Sequence, residues 1–360
     1  MLPPVAVLSD PFEPSPGQAL SQEERVFARR AIDEIDRFSA FVEPQARNER
    51  LCNLLDALEQ LDLLVSAALV SSDRIPPGSA IQRYFRIRTA QIDARASTAT
   101  AVQLVLRSIE DMRVAPISGT TIMREIFAIR QVLKDAGSGG LISQSIELNQ
   151  NQCPAPIEQK SERWYYRWIL AHQVHALFNV KAALAIGDAI ESLKSANAVE
   201  VSEHLERAVV YVHGFSAARA HALAIPPSFY NEVLRPSMTP PLSDSPLSGR
   251  MHVEYRSYRT RLAQFLEILP QSIQELAEWD PRLALTRELL LEADLTDAEN
   301  HVCLVEPVVG QTKSLVQSAR SPDSAVSMLR RIRDRRTEAY GRFMRGGSIP
   351  RTVEDPITPR

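Results

Sequence analysis

Seven histidines carry most of the chemistry available to this chain: His172, His175, His204, His213, His221, His252 and His301. His172 and His175 are three residues apart, so on a helix they share a face. With a carboxylate from elsewhere they would form a candidate non-haem metal site, although no HExxH motif accompanies them. His301 offers something different, because Val305 and Val308 follow it at i+4 and i+7. An imidazole beside an apolar wall is what an axial ligand to haem iron requires. A core histidine satisfied by a carbonyl gives the same pattern. His252 ends the segment Leu247-Ser-Gly-Arg-Met-His252. Over a pocket it would suit acid–base work or a second place on iron; a hydrogen-bonded structural histidine is the plainer reading. Arg235 and Arg250, in the same stretch, are candidates for bidentate recognition of a substrate carboxylate. Arg235 can equally anchor its loop to a helix end.

Other chemistries have no motif here. The GxSxG elbow and the Walker and dinucleotide glycine patterns are missing, as is the glycine-rich cysteine loop of thiolate-ligated haem monooxygenases. Cys52, Cys153 and Cys303 lie far apart, with no CxxC or CxxCH. No disulfide framework is expected from them, and Cys52 and Cys303 read as small packing residues. With 44% hydrophobic and 24% charged residues and a net charge of -3, the chain is ordinary globular material, with nothing to suggest nucleic-acid or membrane binding. No apolar run of roughly 18 residues stands out, and Met1–Asp10 is too proline-rich for a signal peptide, so a reduced cytoplasm is the expected location.

The elements that must position these residues are helical. Ser21-Gln-Glu-Glu24 is a capping box, and Phe27 to Phe38 keep helical spacing. Leu51–Ser71 carries a leucine stripe. Gln82–Arg113 reads as one or two helices. Thr121–Asp135, Arg163–Ile190, Glu200–Ala224, Val253–Ile268 and Leu283–Ala293 follow. A second capping box, Thr296-Asp-Ala-Glu299, predicts a new helix over Asn300–Ser318, with His301 in its first turn and Pro307 as a kink. An arginine-rich helix covers Ala325–Met344. The stretch Ala224–Tyr258 breaks the pattern with six prolines between Pro226 and Pro246. Phe229, Tyr230, Leu234, Met238, Leu242 and Leu247 within it are too much apolar surface to leave in water, so it is expected to be a functional loop.

This reading gives an all-α fold, a bundle of roughly ten helices with a cofactor pocket between them. Residues 1–20 form an extended or mobile arm and 21–345 a single helical domain, with a sub-boundary near 140–158. Residues 346–360 form an irregular tail.

A resemblance sharpens the functional expectation. Tyr211-Val-His-Gly-Phe215, Phe229-Tyr-Asn-Glu-Val-Leu-Arg-Pro236 and Tyr255-Arg-Ser-Tyr-Arg259 resemble a run in the haem-dependent aromatic oxygenases. That superfamily includes tryptophan and indoleamine dioxygenases and haem-dependent tyrosine hydroxylases; the run looks most like the monodechloroaminopyrrolnitrin synthase branch. The similarity extends from Tyr211 to about Gln317. It implies haem b, with His301 as the iron ligand and Val305 on the porphyrin wall. It further implies an aromatic amino acid or indole substrate in secondary metabolism, such as antibiotic biosynthesis, with dioxygen or peroxide as oxidant. The 3-methyltyrosine peroxygenase branch attaches haem through HxxxC, whereas here Cys303 follows His301 by two residues, which turns its thiol away on a helix. Covalent attachment through Cys303 is therefore not expected. A homodimer is compatible with all of this. A cofactor-free helical interaction protein and a non-haem metal enzyme remain as alternatives.

Overall fold

The structure, a computed structural model, describes residues 2–13, 18–38, 44–76, 78–137, 161–244, 246–311, 313 and 323–344. Cys153, the sub-boundary at 140–158 and the tail 346–360 lie outside them. In chain order the elements are β1 (Ala6–Ser9), α1 (Gln22–Asp36), α2 (Pro44–Val65), α3 (Ala80–Phe85) and β2 (Ile87–Ala90). Then come α4 (Ala94–Met112), α5 (Gly119–Ala136), α6 (Ser161–Lys194) and α7 (Ala198–Ala222). The proline-rich stretch holds α8 (Pro227–Phe229), a π-helical turn at Tyr230–Leu234 and α9 (Arg235–Ser237). After it come α10 (Val253–Ile268), α11 (Ile273–Trp279), α12 (Pro281–Val309) and α13 (Ala325–Tyr340). The fold is all-α apart from one small sheet.

That sheet corrects two expectations. Ala6–Ser9, read as part of a mobile or extended arm, is extended but pinned: it pairs in parallel with β2, in the register Ala6↔Ile87 to Ser9↔Ala90. All four β1 residues are buried. The helix expected from Gln82 is cut at Arg86, which adopts the left-handed conformation (φ 55°) and caps α3. A reversal of this kind ends a helix and releases the next residues as strand. Gln173 of α6 ties the arrangement to the core. Its amide donates to the carbonyls of Pro4, Phe85 and Arg86 at 2.9, 3.2 and 3.1 Å.

The capping box of α1 forms as expected, with Ser21 N–H donating to Glu24 at 2.7 Å. The leucine stripe of α2 is buried at Leu51, Leu54, Leu55, Leu58 and Leu61. Cys52 beside it is only half-buried and is disulfide-bonded, not a free packing residue. The centre of the molecule is α6, packed along α7 and against α10 and α4. It is long and apolar enough to span a bilayer, with 78% of its most apolar window buried inside the protein. Helix α7 approaches closely because Gly214 has no side chain. A Cβ there would stand 2.7 Å from Ala128 Cβ and 2.9 Å from the Phe178 ring.

Helix α12 corrects the third expectation. Asp280 caps it, accepting from Leu283 N–H at 2.9 Å, and Pro281 occupies its first position. It then runs unbroken to Val309. Thr296–Glu299 lies inside it, because no proline or glycine interrupts 282–306 and Leu290, Leu291, Ala298 and Val302 keep one face buried. His301 is therefore deep in a long helix rather than at the start of a short one. Pro307 lacks the N–H that would bond Cys303 O, but it falls in the last turn, so little helix follows for it to disrupt.

The proline-rich stretch folds back on itself, with Leu247 N–H donating to Met238 O at 3.0 Å. Asn231 donates to Val308 O at 2.8 Å and Tyr84 OH bonds Ser237 Oγ at 2.7 Å. Tyr230, Leu234 and Leu247 are buried, whereas Leu242 is 71% exposed and anchors nothing.

Candidate functional site

A cavity of about 500 Å³ lies between α6, α7, α10, α12, α13 and the proline-rich stretch. Its size is that of a cofactor or drug-sized ligand site. Each helix gives it a stripe at helical spacing: Trp168, Ala171, His172 and His175 from α6, and Asp297, Ala298, His301, Val305 and Val308 from α12. Of the residues singled out from the sequence, His252, His301 and Val305 meet here, together with His172 and His175. Arg235 is not on the lining; it is buried, in the turn that follows Tyr230–Leu234. The side chain of Arg250 lies outside what is described, but its neighbours Ser248 and Gly249 line the cavity. Cys303 is exposed and off the lining, with its thiol 3.8 Å from Glu299 Oε1. It is not the buried packing residue expected.

Four imidazoles thus share one apolar space. Burial, with its neighbours' charge, holds His172 down to about 3, and holds His175 and His301 well below the ordinary histidine range. They are neutral, the form that binds metal. His172 Nδ1 is 2.7 Å from Trp168 O. As the carbonyl can only accept, Nδ1 carries the proton there. The ring stacks on Phe85 with centroids 4.0 Å apart and lies 6.3 Å from that of His252 at an interplanar angle of 20°. His252 caps the start of α10 with its backbone and stands 3.6 Å, through Nδ1, from Glu254 Oε2. Among the described residues, no group of three or more His, Cys, Asp or Glu side chains is arranged to hold a metal ion, so His172 and His175 lack the carboxylate a non-haem site needs.

The wall also carries arginines that were not singled out from the sequence. Arg219 pairs with Asp297, which also accepts from Ser216 Oγ at 3.0 Å. Arg259 and Arg336 share the single carboxylate of Asp294, at 2.6 and 3.2 Å. Tyr258 and Tyr340 donate to the same group at 3.0 and 2.7 Å. Burial alone would raise Asp294, but the two guanidinium groups and the Tyr340 hydroxyl hold it low. Arg335 also lines the cavity and makes no ion pair among the described residues. The cations on the wall therefore outnumber the anions, which favours ligands bearing carboxylates. These residues come from α7, α10, α12 and α13. Their local signals were the run Tyr255-Arg-Ser-Tyr-Arg259 and the arginine-rich helix that holds Arg335 and Arg336.

Behind the cavity, α4–α7 are joined by a fully buried charge cluster. Arg167 donates to Asp111 at 2.6 Å, and His221 bridges Asp111 at 3.0 Å and Glu125 at 3.2 Å. Arg167 also donates to Ala224 O at 2.7 Å, fixing the point where the proline-rich stretch begins.

The family model described as SfmD 3-methyl-L-tyrosine peroxygenase matches residues 15–284. That span contains His172, His175 and His252 and ends before His301. A crystal structure of reduced SfmD, soaked with sodium hydrosulfite, superposes with a TM-score of 0.55 at 18% identity, over 83% of this chain and 97% of that one. At that identity the likeness speaks to fold alone. No curated protein matches the chain.

Proposed function

Starting from its membership of the SfmD 3-methyl-L-tyrosine peroxygenase family, we propose that this chain is a haem-dependent oxidoreductase that oxygenates an aromatic amino acid in a biosynthetic pathway. The family model that matches is that of the peroxygenase branch; the motifs that resembled the pyrrolnitrin-type branch point to the same wider group. The peroxygenase branch's HxxxC motif has no copy here, so haem b held without a thioether is the form proposed. The observation that carries the reading is the convergence of neutral imidazoles on an apolar cavity whose wall has surplus cations. Each part suits a porphyrin: nitrogen for iron, hydrocarbon for the ring, arginine for propionates.

In this reading His301 would hold the iron, and Val305 and Val308 would pack on the porphyrin. Bound there, haem supplies activation of peroxide, or of dioxygen, for oxygen transfer to the ring. His252 takes up or returns a proton at the oxidant or the substrate hydroxyl. Trp168, Leu247 and Ile332 exclude water from the reacting ring. Arg250 or Arg335 holds the substrate carboxylate. Arg235 shapes the cavity wall from behind, through its packing in the turn after Tyr230.

The test is expression with a haem precursor followed by incubation with 3-methyl-L-tyrosine and ¹⁸O-labelled hydrogen peroxide. A Soret band and ¹⁸O in the product support the reading. A colourless protein that ignores added haem overturns it and returns the helical interaction protein as the better account.

A further inference from the structure

Glu254 is only 1% exposed, and a buried carboxylate needs partners for both oxygens. Oε1 has two: Gln82 Nε2 of α3 at 3.3 Å and Thr89 Oγ1 of β2 at 3.2 Å. Oε2 makes no hydrogen bond among the described residues. It stands 3.6 Å from His252 Nδ1, just beyond bonding distance. His252 lines the cavity and Glu254 does not. The imidazole ring is steadied on another side by Phe85, with centroids 5.2 Å apart. The arrangement is a carboxylate clamped at one oxygen, with the other presented to an imidazole.

We infer that Glu254 is a positioning residue: its Oε2 accepts the Nδ1 proton of His252, which fixes the tautomer that leaves Nε2 unprotonated toward the cavity. A carboxylate behind an imidazole orients the ring and makes its far nitrogen the stronger base. The inference rests on the reading of His252 as the acid–base group, and supplies what that role needs. It also gives the two-stranded sheet a purpose. Thr89 is registered against Leu8 of β1, so the N-terminal strand holds the residue that holds Glu254. An acid placed in the first turn of α10 merely to complement the helix dipole would work from solvent and would not be buried with one oxygen clamped.

The experiment labels the full-length protein with ¹⁵N at histidine and reads ring nitrogens by long-range ¹H–¹⁵N correlation, with His252 assigned through His252→Gln. The native chain is expected to show His252 as one tautomer, protonated at Nδ1. In Glu254→Leu its two ring nitrogen shifts move toward each other as the tautomers mix, while the other six histidines stay in place. Glu254→Asp restores part of the separation. Thr89→Val, which keeps the carboxylate but loosens it, moves His252 in the same direction by less, and decides the matter if Glu254→Leu does not fold. Unmoved His252 shifts in Glu254→Leu or, where that fails, in Thr89→Val overturn the inference; so does a collective shift of all seven rings. The readout uses neither turnover nor substrate. A colourless protein with His252 still held by Glu254 would count against the functional reading and leave this inference standing.

Discussion

Asp294 shows what a single residue does here. One carboxylate on α12, buried to 1% exposure, holds Arg259 and Tyr258 of α10 and Arg336 and Tyr340 of α13 at one wall of the cavity. Removing a charge of this kind strands its partners without compensation, which costs about 3–5 kcal/mol. Asp294→Asn is expected to lose roughly 3 kcal/mol in urea denaturation; a loss within about 0.5 kcal/mol would mean water already solvates both arginines. None of this was legible in the sequence. Asp294, Arg259 and Arg336 are far apart in the chain, and each reads as an ordinary surface charge until the helices are packed. His301 and Val305 were legible as neighbours because their relation is local, four residues apart on one helical face.

At the scale of elements, two devices hold α4–α7 together. The first is the buried cluster around His221. Burial opposes its charge, but Glu125 and Asp111 outweigh that and raise it to about 9. Its ordinary value is about 6.5, so folding favours the imidazolium. The stabilisation is complete below about pH 6.5 and fades as pH rises through about 9. Urea midpoints should fall between pH 7 and 9.5, and His221→Asn should flatten that limb; an unchanged slope in the variant would contradict the assignment. The second device is the glycine contact between α7 and its neighbours. Gly214→Ala gains helix propensity but forces Ala128 or Phe178 to move. A net loss of about 1–2 kcal/mol is expected by thermal or chemical denaturation, and a stabilised variant would show that α7 has room to shift. The sequence was a good guide to α1, where a capping box and apolar spacing agree, and to α6, α7 and α10, where apolar spacing marks the helix. It misled at β1 and β2, because four-residue strands are too short to show alternation. It misled again in α12, where a capping-box pattern lies inside a helix whose core face never breaks.

For the whole molecule, the family span closes at residue 284, while α12 and α13 complete the cavity from beyond it. His252 from within the span and His301 from beyond it line the same cavity. The account stands on the idea that His301, reached through a long unbroken helix, is the residue that grips iron. The most direct measurement is the absorption spectrum of His301→Ala against the native protein, both expressed with haem precursor and examined in ferric and ferrous–carbonmonoxide states. The account predicts that the variant loses haem or shows a shifted Soret band and an altered ferrous–carbonmonoxide spectrum. Full haem content with superimposable spectra would remove His301 from the iron and contradict the central claim.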